Sequence, residues 1–123
     1  MLEEKKRWRL CRDYKKGKFC FLIGVDNWSI ELQKSEFNSL YFLLLKINKQ
    51  LSEIKGELMD EEFITLELEQ LPWFIELEGK KNEWSLRFVF ESKDQTRSFE
   101  MYWPIPIAQN LFFEIKKMWE SMD

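Results

Sequence analysis

The chain has 123 residues, 33% of them charged and 45% hydrophobic, with a formal net charge of −3 at pH 7. A chain of this length can bury a core without disulfides or metals, so residues 1–123 are predicted to form a single domain. It contains no histidine, which excludes the ordinary Ser–His and Cys–His catalytic pairs. Its longest apolar run, Leu40 to Leu45, is too short to span a bilayer. We expect neither an enzyme nor a membrane protein.

The N-terminal residues are charged from Glu3 to Arg9, and no apolar segment of the kind found in secretory signals follows them. We therefore expect a cytoplasmic protein, in which thiols are kept reduced. Cys11 and Cys20 lie on either side of a predicted hairpin turn, and we expect two free, half-buried thiols rather than a disulfide. Two cysteines without histidine do not supply the usual zinc ligands, and we expect no cofactor.

Three strand-like segments come first in the chain. Trp8 and Leu10 alternate with arginines and face the predicted core, whereas the second segment is apolar throughout, as in a strand covered on both faces. The three segments are residues 7–12, 19–23 and 28–32. Turn signals separate them at residues 14–18 and 24–27.

A long helix is predicted from Ser35 to Met59, because apolar residues recur there alternately three and four positions apart. The apolar stripe consists of Phe37, Leu40, Leu44, Ile47, Leu51, Ile54 and Leu58. Further apolar residues in the middle turns extend it around the helix, which predicts a central, buried element. Ser35 is the predicted N-cap, and Glu36 places negative charge where the helix dipole favours it.

Four alternating strands and a second helix are predicted after the central helix. The inward-facing strand residues are Ile64, Leu66 and Leu68; Trp73, Ile75 and Leu77; Trp84, Leu86, Phe88 and Phe90; and Phe99, Met101 and Trp103. Their short connections predict an antiparallel meander. Pro104 and Pro106 end the last strand and open the helix. Its predicted buried stripe is Ile107, Leu111, Ile115, Met118 and Met122.

Strands are thus followed by a helix twice, over residues 7–59 and 63–122. This order predicts an α+β fold of two antiparallel sheet-plus-helix units in tandem. The first unit is expected to have three or four strands and the second unit four.

The first hairpin is the most basic part of the chain. Residues 1–20 contain eight basic and three acidic residues, whereas residues 57–79 contain eight acidic and no basic residues. Single-stranded nucleic acid is bound by cations along its backbone and by aromatic faces under its bases. The hairpin combines both, and its candidate binding residues are Arg7, Arg9, Arg12, Tyr14, Lys15, Lys16 and Lys18.

A protein-binding or assembly role is an equal alternative. A lysine-rich hairpin tip also keeps a sheet edge soluble, and a net negative charge is unusual for a dedicated nucleic-acid binder. Such a role predicts an exposed apolar patch, first of all at Phe42, Leu43 and Leu45. Both partners, single-stranded nucleic acid and protein, therefore remain open.

The chain is rich in carboxylates, which are the other residues considered as a candidate site. Glu67, Glu69, Glu76 and Glu78 fall on the non-core face of alternating strands. We expect a solvated sheet surface there rather than a divalent-cation site.

Several short motifs resemble a small cyanobacterial family, domain of unknown function 1818. They are Leu22-Ile23-Gly24 with Trp28, residues 57–62, Trp73 with Glu76 and Glu78-Gly79, Leu86-Arg87, and Trp103-Pro104. The family is similar in fold to single-stranded-DNA-binding regulators of the Whirly and transcriptional-coactivator type. This resemblance implies paired units of four strands and a helix, and it implies no catalytic residues. The chain departs from the family's helix where Gly56 and nearby lysines loosen its end.

Overall fold

The computed structural model describes residues 2–4 and 7–121, with side chains from Arg7 onward. Two four-stranded antiparallel sheets are each followed by a long helix. The predicted α+β class and the order of strands followed by a helix, twice, are confirmed.

The first sheet is a meander in chain order. Its strands are β1 (Leu2–Glu4), β2 (Trp8–Arg12), β3 (Phe21–Val25) and β4 (Trp28–Leu32). The sequence pattern predicted the last three, but three residues are too few to show the alternation that would have indicated β1. The sheet is followed by helix α1 (Lys34–Lys55).

The second sheet is also a meander in chain order. It contains β5 (Ile64–Gln70), β6 (Trp73–Lys80), β7 (Glu83–Glu91) and β8 (Ser98–Trp103), followed by helix α2 (Ile107–Glu120). The inward-facing residues of β6 and β7 are buried as predicted, and those of β5 are half-buried. Helix α1 packs on β5 and β6, whereas α2 packs on β7 and reaches β2 of the first sheet.

The turn predicted at residues 24–27 is shorter than expected. Gly24 and Val25 lie in β3, and the reversal is made by Asp26 and Asn27 alone, with Asp26 at a φ of 52°. Glycine at position 24 leaves room for the guanidinium of Arg9, which passes over the strand at this point. An added Cβ would overlap it unless the arginine side chain shifted.

The predicted ends of α1 are both wrong by a few residues. The helix begins at Lys34, with Gln33 rather than Ser35 as the N-cap. The backbone N–H of Gln33 donates to Oε1 of Glu36 at 2.8 Å, so the acidic side chain of the first turn caps the N-terminus of the helix. Helix α1 ends at Lys55, four residues before the expected end at Met59, because Gly56 lowers the helix propensity of the next turn.

Both helices bury the predicted stripes. Of the seven predicted stripe residues of the first helix, five are buried and Ile54 is half-buried within α1, whereas Leu58 lies beyond its end and is also half-buried. Leu43 is also buried, whereas Phe42 is 47% exposed. In α2 the stripe is buried from Ile107 to Met118, and Met122 lies outside the described residues.

Replacing Leu44 with alanine should lower the free energy of unfolding by about 2–5 kcal/mol, since its side chain is 1% exposed and its loss opens a cavity. Urea denaturation monitored by tryptophan fluorescence measures this loss. The exposed Lys49 in the same helix is the control, and Lys49→Ala should change stability by less than about 0.5 kcal/mol. Equal losses in the two variants would show that the stripe is misassigned.

Candidate functional site

The two arginines at the start of the basic hairpin brace the neighbouring turn. The Nε and Nη2 atoms of Arg7 donate to the carboxylate of Asp26 at 2.8 and 3.0 Å. This hydrogen bond raises the pKa of Arg7 and lowers that of Asp26. Arg9 donates to the backbone oxygens of Asp26, at 3.2 Å, and Trp28, at 2.8 Å. Both guanidinium groups are engaged within the fold.

The third arginine, Arg12, belongs to the inner face of β2. It follows Trp8 and Leu10 at the strand's two-residue period and is half-buried. Its guanidinium carbon lies 5.8 Å from the centre of the Tyr14 ring. The structure therefore does not bring the seven candidate residues onto one surface, since Arg7 and Arg9 lie toward the far end of β2 from the hairpin tip.

The hairpin tip is a defined turn that presents three lysines. Residues Tyr14–Lys16 form a single 3-10 turn, which the carboxylate of Asp13 caps by accepting from the N–H of Lys15 at 3.0 Å. Gly17 continues the turn at a φ of 80°, a conformation that favours glycine. The side chains of Lys15, Lys16 and Lys18 are exposed.

Tyr14 is the exposed aromatic residue of this tip. Its ring packs edge-on against buried Phe21, with 6.1 Å between the ring centres, and the residue is 53% exposed. Besides Arg12, the ammonium of Lys34 lies 5.9 Å from the ring centre. An accessible aromatic ring is thus surrounded by positive charge.

A cavity of about 330 Å³ lies beside the tip, at the start of α1. It is lined by Lys18, Gln33, Ser35, Glu36, Ser39, Leu71, Pro72, Ser92, Lys93 and Asp94. Two lysines, Lys18 from the first unit and Lys93 from the second, share its wall. We name the tip residues 14–18, together with Lys34 and Lys93, the basic tip.

The loop that carries Lys93 is closed by its own polar side chains. Oδ1 of Asp94 accepts from the hydroxyls of Thr96, at 2.7 Å, and Ser92, at 2.8 Å, and from the N–H of Thr96 at 3.1 Å. These hydrogen bonds, first of all the one from the Thr96 hydroxyl, lower the pKa of Asp94 to about 2. The carboxylate is therefore already engaged inside the loop.

The second carboxylate of the cavity wall, Glu36, is paired with Arg97. Nη1 of Arg97 donates to both carboxylate oxygens, at 3.0 and 2.8 Å, and Nη2 donates to the backbone oxygen of Glu31 at 2.7 Å. The guanidinium lies over Phe19, 4.7 Å from the ring centre, and over Phe90, at 5.2 Å. This pair joins the two units, and no local pattern in the sequence indicates it.

The acidic turn at residues 60–62 lies at the other end of α1 from the basic tip. A helix of 22 residues is about 33 Å long. Within the acidic turn, Asp60 pairs with Lys81 and Glu61 with Lys80, each at 2.9 Å. The turn does not neutralise the lysines of the basic tip, because charges separated by several Debye lengths are screened.

Cys11 and Cys20 are free thiols in this structure. The strand register places Cys11 opposite Leu22, so the two cysteines do not face each other across the hairpin as the sequence suggested. Cys20 is buried rather than half-buried, at 5% exposure. Over residues 7–121, no cluster of three or more His, Cys, Asp or Glu side chains is arranged to hold a metal. None of the described helices is long and apolar enough to cross a membrane.

Comparisons with known proteins agree with this architecture. The model of the family described as Domain of unknown function (DUF1818) matches residues 3–118. The chain belongs to this family. A crystal structure of a protein with unknown function from Prochlorococcus sp. NATL2A, described as a member of the DUF155 family, is similar with a TM-score of 0.90. It is 35% identical, and the match covers 97% of this chain and 98% of that one. No curated protein matches the chain significantly.

The low pKa of Asp94 predicts a pH-dependent contribution to stability. Because the pKa in the folded state lies below its ordinary value of 3.8, the carboxylate favours folding above pH 3.8, and this contribution is lost as the pH falls toward 2. The difference in melting temperature between the wild type and Asp94→Asn should therefore shrink between about pH 5 and pH 2. An NMR titration of the carboxyl carbon with a midpoint near 3.8 would contradict the prediction.

Removing Arg97 should destabilise the protein strongly, because it leaves the carboxylate of Glu36, a residue only 8% exposed, without its cation. We expect Arg97→Ala to cost on the order of 3 kcal/mol in urea denaturation. The same change in a Glu36→Gln background should cost clearly less, which a double-mutant cycle measures.

The matched control is Arg87→Ala. Arg87 pairs with Glu76 at 3.4 Å and with Glu100 at 3.7 Å on the outer face of the second sheet. Its loss should cost about 1 kcal/mol or less. Equal costs for the two arginines, or a cycle without coupling, would show that Arg97 does not join the two units.

Proposed function

We propose that the chain is a non-enzymatic, cytoplasmic binding domain whose basic tip binds single-stranded nucleic acid. The observation that carries the proposal is the exposed ring of Tyr14, whose centre lies 5.8 Å from the guanidinium carbon of Arg12 and 5.9 Å from the ammonium of Lys34, in a tip with three exposed lysines. The likeness in fold to regulators of the Whirly and coactivator type, implied by the sequence motifs, supports the same class of ligand by analogy alone.

The cations of the basic tip suit a phosphate backbone better than a single anion. Lys15, Lys16 and Lys18 lie within four residues of one hairpin tip, and Lys18 and Lys93 line the same cavity. Lysine ammonium groups neutralise successive phosphates and release bound counterions, which makes such binding strongly dependent on salt. The carboxylates of Glu36 and Asp94 oppose this binding little, since each is already engaged by donors.

Tyr14 favours a single strand over a duplex. Unpaired bases can stack on an exposed aromatic ring, and each stacked base contributes about 1–3 kcal/mol. The bases of a duplex are already stacked on one another and do not reach a ring at the tip of a hairpin. We therefore place base stacking at Tyr14 and contacts with phosphates at the lysines.

The alternative is a protein-interaction module centred on α1 and α2. Phe42 is 47% exposed and packs edge-on against half-buried Trp119, with 5.4 Å between the ring centres. Leu43, expected in the same patch, is buried and does not contribute to it. The patch is thus smaller than the sequence suggested, and we favour the nucleic-acid proposal.

Binding of a fluorescent oligothymidine of about 12 nucleotides, measured by anisotropy, tests the proposal. Engagement of four phosphates predicts a slope of about −3 in a plot of log K against log of the salt concentration. Lys15→Glu/Lys16→Glu/Lys18→Glu should abolish binding, and Tyr14→Ala should weaken it about tenfold. A duplex of the same length should bind more weakly than the single strand.

The control variant, Lys49→Glu/Lys55→Glu/Lys116→Glu, changes the net charge equally at exposed positions of α1 and α2. It should keep most of the affinity. Equal losses in the two triple variants would indicate a general charge effect, and the absence of single-strand binding at low salt would refute the proposal.

A further inference from the structure

The outer face of the second sheet carries no helix. Helices α1 and α2 pack on the opposite face, where the inward side chains of β6 and β7 are buried. The outward residues of β5–β8 are half-buried or exposed, apart from Ser85. We name this surface the acidic face. Four strands of six to nine residues present a surface of roughly 20 by 25 Å.

Carboxylates dominate the acidic face. The outward side chains include seven glutamates and two cations. The glutamates are Glu67, Glu69, Glu76, Glu78, Glu83, Glu91 and Glu100, and the cations are Lys80 and Arg87. Lys80 pairs with Glu61 of the acidic turn, so among these residues Arg87 is the cation that pairs with glutamates of the acidic face itself.

The strand register places like charges directly opposite each other. Glu67 of β5 lies across from Glu76 of β6, and Arg87 is the next residue in that row. Within the described part of the chain, no cation lies within salt-bridge distance of Glu67, Glu69 or Glu78. Like charges directly opposite destabilise a sheet, and a bound cation would relieve this repulsion.

A short apolar strip, Phe74 and Val89, lies between Glu69 and Glu100 on the acidic face. Phe74 lies opposite Val89, and both are half-buried. In the next row, Tyr102 of β8 is 52% exposed. Arg87 lies 5.6 Å from the centre of the Phe74 ring, which shows that this strip accommodates a cation with an aliphatic stem.

We propose that the acidic face docks a lysine- or arginine-rich segment of a protein partner. The cations of the segment would pair with Glu67, Glu69 and Glu78, and its apolar side chains would cover Phe74, Val89 and Tyr102. Charge complementarity selects this occupant. A nucleic acid is repelled by the carboxylates, and a second copy docking through the same face would bring carboxylates against carboxylates. The inference does not depend on the nucleic-acid proposal.

The area of the acidic face indicates a weak interface. A face of this size buries less than a standard protein–protein interface does, so the complex should be transient and sensitive to salt. A suitable probe is a fluorescein-labelled octapeptide of alternating lysine and valine, which presents cations and apolar side chains on opposite sides of a strand. The same peptide with aspartate in place of lysine is the control ligand.

The test uses Glu67→Lys/Glu69→Lys in the full chain. The new lysine at position 67 would face Glu76, a favourable cross-strand pair, so this variant should fold at least as well as the wild type. The matched control is Glu53→Lys/Glu57→Lys, which makes the same change of net charge at exposed positions outside the acidic face.

Anisotropy titrations at low salt should show at least about tenfold weaker binding for the first variant and less than about a twofold change for the second. Tyr102→Ala should also weaken binding, and the equally exposed Phe113→Ala should not.

Three results would overturn the proposal. The first is that the wild type does not bind the lysine peptide. The second is that the two glutamate variants weaken its binding equally, and the third is that the aspartate peptide binds as tightly as the lysine peptide. Sedimentation velocity provides a further test. If the wild type self-associates and both Glu67→Lys/Glu69→Lys and Lys15→Glu/Lys16→Glu abolish this, the occupant is the basic tip of a second copy, and the partner proposed here is wrong.

Discussion

The pairing of Arg97 with Glu36 is a polar contact that joins the two units beside the packing of α1 on β5 and β6. Arg97 comes from the loop before β8, and Glu36 from the first turn of α1. A mostly buried ion pair stabilises a fold only when further hydrogen bonds satisfy both groups. Here the carboxylate also accepts from the N–H of Gln33, and the guanidinium also donates to the backbone of Glu31. The pair therefore holds the start of α1, the end of β4 and the β7–β8 loop together. Strand β6 is joined to the same place, because the indole N–H of Trp73 donates to the backbone oxygen of Glu36 at 3.0 Å.

The same contact assembles the basic tip. The β7–β8 loop is closed by hydrogen bonds between Ser92 and the backbone of Arg97, so fixing Arg97 also fixes Lys93. Lys93 then lines the same cavity as Lys18 of the hairpin tip. Cations from two sequence-distant loops are thus brought together, while the pairing removes Glu36 as a competing charge. The basic tip and the polar contact between the units thus share the β7–β8 loop.

The periodicity of the sequence predicted the strands and helices, but it did not predict the side-chain contacts between them. The alternation of β6 and β7 and the stripe of α1 are local properties, so a single sequence reveals them. The three residues of β1 are too few for a pattern, and the position of Gly24 inside β3, next to the guanidinium of Arg9, is not visible in the local sequence. For the candidate site, too, the sequence predicted local features and missed tertiary contacts. The exposed lysines of the tip follow from the turn, but the engagement of Arg7 and Arg9 with the β3–β4 turn depends on tertiary geometry.

The net charge of −3 conceals two surfaces of opposite sign. The basic tip lies at the start of α1, the acidic turn follows the end of that helix, and the acidic face lies on the side of the second sheet away from both helices. The acidic turn attracts the basic tip little across the length of α1, because the Debye length is about 8 Å at physiological ionic strength. The acidic face comes closer, since its Glu91 is two residues from Lys93 of the basic tip. On the two proposals made above, a polyanion would be repelled by the acidic face and oriented toward the basic tip, and a basic segment would be oriented the other way.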